Sequence, residues 1–246
     1  MSFVYFVDPL PEKLQLGAST GFVTFGRGAL PTEVGRGLFA GMLEGITTGF
    51  IFSLTLFPAS VWLVKVARGG GFWAAVATGL AFFFSQVIWL LFAVPGMMMM
   101  YKQLSFIRGG IHLFAAFVLV YMGVKLFRSR RETDLDLQSP LPPHRTLFAN
   151  AFRRSLGMPM RLPLAVALVV ATGAFINHST DAEAAFRISL GAVIGAALWW
   201  GELLFLAIAF GRRVPAPITL KSLNKIRPFS GLLFFCLAGI SVFIAN

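Results

Sequence analysis

Six residues set inside apolar stretches of this sequence are the ones whose type and position could do chemistry: Glu44, Pro58, Gln86, Pro159, Arg161 and Glu202. A carboxylate at the depth of a lipid bilayer costs several kcal/mol unless protein, a cation or water meets it. Glu44 and Glu202 are therefore expected to face protein. The spacing agrees: Gly41, Glu44, Thr48 and Thr55 follow a three-to-four residue repeat, as do Gly191, Gly195, Trp199 and Glu202. The functional expectation is a proton- or cation-coupled pair of carboxylates, with Lys65 or Arg161 as balancing charge; the structural alternative is an ion pair or hydrogen bond tying helices together. Gln86, next to Ser85, could meet Glu202 or make a plain interhelical hydrogen bond. Pro58 interrupts the apolar run 38–66 and Pro159 the run 147–176. Broken helices in a membrane need protein or water to satisfy the freed backbone, which is how many small-solute pathways are lined.

The remaining reactive side chains point away from catalysis. His112, His144 and His178 are scattered over one apolar run and two polar segments. Four consecutive methionines, Met97 to Met100, supply thioethers of the kind that bind Cu(I), yet no Cys or His stands beside them, so interface filling is the expected role. Cys236 is the single cysteine, which excludes an intramolecular disulfide and a thiolate cluster. With no phosphate loop and no nucleophile–base pair, neither an enzyme, a metal centre nor a cofactor is expected.

The elements that must position these residues follow from composition. The chain has 246 residues, 57% of them hydrophobic and 13% charged, with a mean hydropathy of +0.78. That is an integral membrane protein. Six apolar runs are close to or above the length that crosses about 30 Å of hydrocarbon: 38–66, 72–94, 110–127, 147–176, 188–210 and 229–245. The net charge of +11 is distributed between these runs, which argues for orientation in a membrane and against nucleic acid. Segments 65–71, 125–161 and 211–228 carry 15 of the Lys and Arg residues, against 6 in 1–37, 95–109 and 177–187. By the positive-inside rule the first set is cytoplasmic and both termini are extracytoplasmic. Residues 1–37 lack a basic start followed by a continuous apolar core and are expected to form a retained external tail rather than a cleaved signal peptide.

The expected plan is all-α: three spans (38–127), a charged and proline-rich cytoplasmic linker (128–146), and three more (147–246). An odd number of crossings per half makes the halves a 3+3 inverted repeat, with the first and fourth spans broken by proline. Gly41, Gly45 and Gly49, and separately Gly191 and Gly195, read as close helix-packing stripes. The 27 phenylalanines, including Phe82 to Phe84 and Phe234-Phe235, are expected to face lipid or a neighbouring subunit.

The string Val120-Tyr121-Met122-Gly123-Val124-Lys125-Leu126-Phe127-Arg128 resembles the third helix of the lysine exporter (LysE) superfamily. Further landmarks fall in the family's order: Gly69-Gly70 closing the first span, Gly79 in the second, Phe148 to Pro159 opening the second half, Leu223-Asn224-Lys225 and Ser230-Gly231 before the sixth. The resemblance covers about 37–246. It implies a six-helix inverted repeat in the bacterial cytoplasmic (inner) membrane that exports amino acids or other small solutes. Two motifs depart from the family pattern. Leu56-Phe57-Pro58-Ala59 stands where Pro-Gly-Pro and Asn are usual, and Met158-Pro159-Met160-Arg161 where Asn-Pro and a basic residue are usual. Losing the glycine and one proline is expected to leave kinks instead of unwound backbone. Two functions follow: a LysE-like exporter of a zwitterionic or cationic solute, with its site between Pro58, Pro159 and Glu202, or a non-transporting member serving as a subunit among other membrane proteins. A cavity reaching the midplane at Pro58 and Pro159 favours the first; Phe57, Phe83 and Met158 filling that volume favours the second.

Overall fold

The computed structural model describes residues 31–103, 108–129, 140–158, 160–173, 182–210, 213 and 215–245, and these form seven helices with no strand among them. They are α1 (Pro31–Leu54), α2 (Phe57–Gln103), α3 (Arg108–Arg128), α4 (His144–Leu156), α5 (Arg161–Ala171), α6 (Ala182–Phe210) and α7 (Ala216–Ala245). Four helices are long and apolar enough to cross a membrane: Pro58–Lys102, Gly109–Arg128, Ala182–Phe210 and Asn224–Ile244. A fifth crossing arises if α4 and α5, bent by 65°, count as one span. The expected first run is divided, with α1 ending at Leu54 and its second half joined to α2. At 47 residues α2 would measure about 70 Å if straight, more than twice the hydrocarbon thickness. It is not straight: Gly71 has φ 80° and ψ −173°, a left-handed backbone that only glycine adopts cheaply, and it separates 57–70 from 72–103. That break falls between the first two expected runs.

Several boundaries differ from expectation because helices run into segments read as loops. The methionine cluster Met97 to Met100 is helical, on the last turns of α2, and Pro95 sits inside that helix. Helix α7 begins 13 residues before the expected run, and α4 takes in His144 and Arg145 from the expected linker. In α4 the apolar side recurs every fourth residue, Leu147, Ala151 and Ser155 being buried, so the helix is held by one face although its other face is basic.

Two glycine-mediated pairings organise the bundle. On α1 and α6, a Cβ added to Gly45, Gly49, Gly191 or Gly195 would lie only 2.3, 1.9, 2.2 and 2.0 Å from carbonyl oxygens of the facing helix. Low-numbered residues meet low-numbered ones, so the two helices run parallel in near backbone contact, as the small-residue stripes predict. On α3 and α7, Gly123 and Gly231 face each other while Phe127 stacks on Phe235 at 5.8 Å. Short α5 is enclosed, with Leu164, Ala165 and the run Ala167 to Ala171 buried against neighbouring helices. The aromatic expectation needs correction. Phe84 is exposed, but Phe82 and Phe234 are core residues; Phe82 packs 5.3 Å from the Trp200 ring. The outer surface is covered instead by Trp73, Phe92, Phe117, Phe186, Phe205 and Phe243, all more than 60% exposed, as lipid contact requires.

Candidate functional site

The chain leaves the α-helical path twice near one place. After Leu54 the backbone tightens, with Thr55 N–H donating to Phe52 C=O and Leu56 N–H to Ser53 C=O, three residues back in each case. Helix α2 then starts with Pro58 in its first turn, where a missing N–H leaves no helical bond unmade. On the other side α4 stops at Leu156, Gly157 N–H closing onto Arg153 C=O, and α5 starts at Arg161 with Pro163 again in a first turn. Pro159 itself lies outside the described residues. The first turns of α2 and α5 therefore converge, and with them the positive ends of two helix dipoles.

Between them lies a cavity of about 300 Å³ lined by Thr55, Pro58 and Arg161, by Met122, Lys125 and Ser129 from the end of α3, and by apolar side chains. Arg161 is its dominant polar feature. The side chain is only 4% exposed. Nη1 donates to Thr55 Oγ1 at 3.1 Å, and the guanidinium carbon sits 5.1 Å above the Phe52 ring centroid. The Thr55 hydroxyl proton is committed to Phe52 C=O at 2.6 Å, which leaves that oxygen free to accept from the arginine. Nη2 is buried, and among the described residues it has no hydrogen-bond partner and no carboxylate lines the cavity. A second cavity, of about 260 Å³, is lined by Trp62, Asn150, Arg154 and Ser155 and shares both Pro58 and Met158 with the first. These two residues are thus common walls of both spaces.

The expected site residues are only partly brought together. Pro58 and Arg161 share the cavity. Gln86 is fully buried elsewhere, on the α1–α2–α6 contact: its Oε1 accepts from Ser53 Oγ at 2.6 Å and from Trp200 Nε1 at 2.8 Å. Because the indole can only donate, the amide orientation is determined, and Gln86 meets Trp200 rather than Glu202. Its Nε2, with Trp89 Nε1 and Trp199 Nε1, forms a set of buried donors without partners among the described residues. Glu44 is half-buried one turn before Thr48, whose hydroxyl joins Thr172 at the end of α5 at 2.7 Å. Glu202 corrects the expectation that it faces protein: it is exposed on α6, in a shallow groove with Phe50, Leu198 and Gly201. Phe50 of α1 packs on Trp199 and walls the same groove without covering Glu202. Arg161 is accordingly not the counter-ion of Glu202. Sequence reasoning missed Phe52, Met122 and Ser129. The hydroxyl of Thr55 was visible on the α1 stripe, but nothing in the sequence joins the end of α3 to the helix breaks.

Comparison with known proteins bears on what such a bundle does. A Bacillus subtilis (strain 168) protein named "Putative amino acid efflux protein YcgF" is 25% identical over 159 residues, covering 64% of this chain and 75% of that protein. No solved structure matches. The family model described as LysE type translocator matches residues 51–243, from the end of α1 through nearly all of α7, and the chain belongs to that family of multi-pass membrane transporters.

Proposed function

We propose that this protein exports a small solute of the amino-acid type across the bacterial cytoplasmic membrane, through the cavity beside Arg161. The observation that carries this reading is the pair of cavities, 260 and 300 Å³, with Pro58 and Met158 as shared walls. A scaffold subunit has no need of such space; of the side chains expected to fill it in one, Phe83 lines neither cavity, Met158 is a wall of both, and that of Phe57 lies outside the described residues. The membership in a translocator family and the efflux name of the Bacillus subtilis relative support the same reading.

In this proposal α1 with 57–70, then 72–103, then α3 form the first three crossings, and α4–α5, α6 and α7 the second three. The short broken pairs α1 with 57–70 and α4 with α5 are then equivalent, which makes the two halves an inverted repeat with both termini outside. Pro58 and Pro159 shape the pathway at its centre, Arg161 faces it, and Glu44, Gln86 and Glu202 belong to the surrounding helices. Movement of the wall at Pro58 and Met158 connects one cavity to the other. Full-length protein in liposomes loaded with mixed labelled amino acids should release at least one of them faster than protein-free liposomes, and Met158→Trp should slow that release. No flux of any solute, together with co-purification of a fixed set of membrane subunits, would replace this reading with the scaffold one.

A further inference from the structure

Arg161 presents a buried cation that the described residues leave incompletely satisfied. One amino group of the guanidinium is engaged by Thr55 Oγ1 and one face is covered by Phe52, while Nη2 has no partner among the described residues and Arg161 lines the 300 Å³ cavity. Burying an ionised group without a counter-charge is among the most unfavourable arrangements a protein can hold, and it persists where function uses it. Both charged side chains of the described lining, Arg161 and Lys125, are cationic, while the helix ends around it offset one another, the starts of α2 and α5 being positive and the ends of α1 and α3 negative. The rest of the lining is aliphatic or thioether: Leu56, Leu126 and Leu164 with Met122, Met158 and Met160.

We propose that this cavity binds the carboxylate of a small aliphatic acid on the Arg161 guanidinium, with the hydrocarbon part against the leucines and methionines, and that it rejects cationic solutes. The inference rests on the transport reading for its biological meaning but not for its test, which is binding. The carboxylate can come from an amino acid with an apolar side chain or from the same acid without an amino group; the described lining offers no acidic side chain for an ammonium group. The volume is at the small end for ligand cavities, which limits the occupant to a compact molecule. This narrows the zwitterionic or cationic solute expected from the sequence to the zwitterionic and anionic side.

The test is ligand-induced stabilisation of purified full-length protein in detergent with four probes: leucine, 4-methylpentanoate, leucinamide and lysine. Leucine should raise the melting temperature, and leucinamide and lysine should not. 4-Methylpentanoate separates the two sources, since equal stabilisation means the amino group is not read and none means that it is. Arg161→Gln should weaken the apparent affinity for the active acid at least about tenfold, the loss expected for a hydrogen bond to a charged group. The same variant should melt no lower than wild type, because it removes a buried charge that has no counter-ion among the described residues; a purely structural arginine would give the opposite. If the variant cannot be purified, ligand protection of Arg161 in the wild-type protein from an arginine-selective dicarbonyl reagent, read by mass spectrometry, replaces it. Stabilisation by leucinamide or lysine equal to that by leucine, undiminished affinity in Arg161→Gln, or no protection at Arg161 would each overturn the proposal. Export of an amino acid by a protein that fails these tests would leave the transporter reading standing; carboxylate binding without any flux would do the reverse.

Discussion

Replacing Gly49 by alanine tests whether α1 and α6 are held at backbone contact. An added Cβ would lie 1.9 Å from Ala192 C=O and 2.7 Å from its carbonyl carbon. An ordinary carbon–oxygen approach is about 3.3 Å or more, so the two backbones must part by roughly 1.4 Å. The neighbouring contacts cannot absorb this locally. Gly45, Gly191 and Gly195 sit on the same seam with clearances as small, so separation at Gly49 opens the whole interface. Overpacking of this kind costs about 1–3 kcal/mol. For a chain of this size about 1 kcal/mol corresponds to 2–4 °C, so Gly49→Ala should melt roughly 2–12 °C below wild type. Gly239 is the control: it lies within α7, a Cβ there would meet nothing within 4 Å, and alanine is the better helix former by about 0.5–1 kcal/mol. Gly239→Ala should therefore melt at or slightly above wild type. Thermal unfolding in detergent, followed through the five tryptophans, compares the three proteins. A Gly49→Ala protein within 1 °C of wild type, or indistinguishable from Gly239→Ala, would refute the packing argument.

Three further outcomes are expected. A double-mutant cycle of Gln86→Leu and Trp200→Phe should give a coupling of about 0.5–1.5 kcal/mol from the 2.8 Å hydrogen bond, and additive effects on melting would remove that bond from the account. Glu202→Gln, at an exposed position, should change stability by no more than about 0.5 kcal/mol, and a fall in melting temperature of several degrees would mean that something covers the α6 groove. Single cysteines at Ser19, Ser139 and Ser179 in a Cys236→Ser background report orientation: an impermeant maleimide on intact cells should label the first and third only, and labelling of Ser139 alone would invert the proposed topology.

The sequence by itself determined that this chain is a helical membrane protein, because unbroken apolar length and the scarcity of charge leave no soluble alternative. It also determined the closest helix seam, since glycines four residues apart have one physical use in such a setting, and Gly45 and Gly49 do meet Gly191 and Gly195. The break between the first two apolar runs was legible in the glycines before Phe72, and Gly71 makes it. Local pattern does not report which side of a helix is covered. Glu202 shares the Gly191 and Gly195 face by periodicity, yet it lies exposed in a groove beside Phe50 of α1, while Gln86 finds Trp200, a partner 114 residues away. The cavity is the fullest case. Its walls come from the end of α1, the starts of α2 and α5 and the last turn of α3, segments with no common spacing in the chain. Arg161 reads in sequence as a candidate counter-charge for a membrane carboxylate, with no sign of how deeply it is buried. Only packing of α5 into the centre of the bundle buries it beneath Phe52 and beside Thr55, because burial depends on the neighbours that surround a short helix rather than on the residues within it.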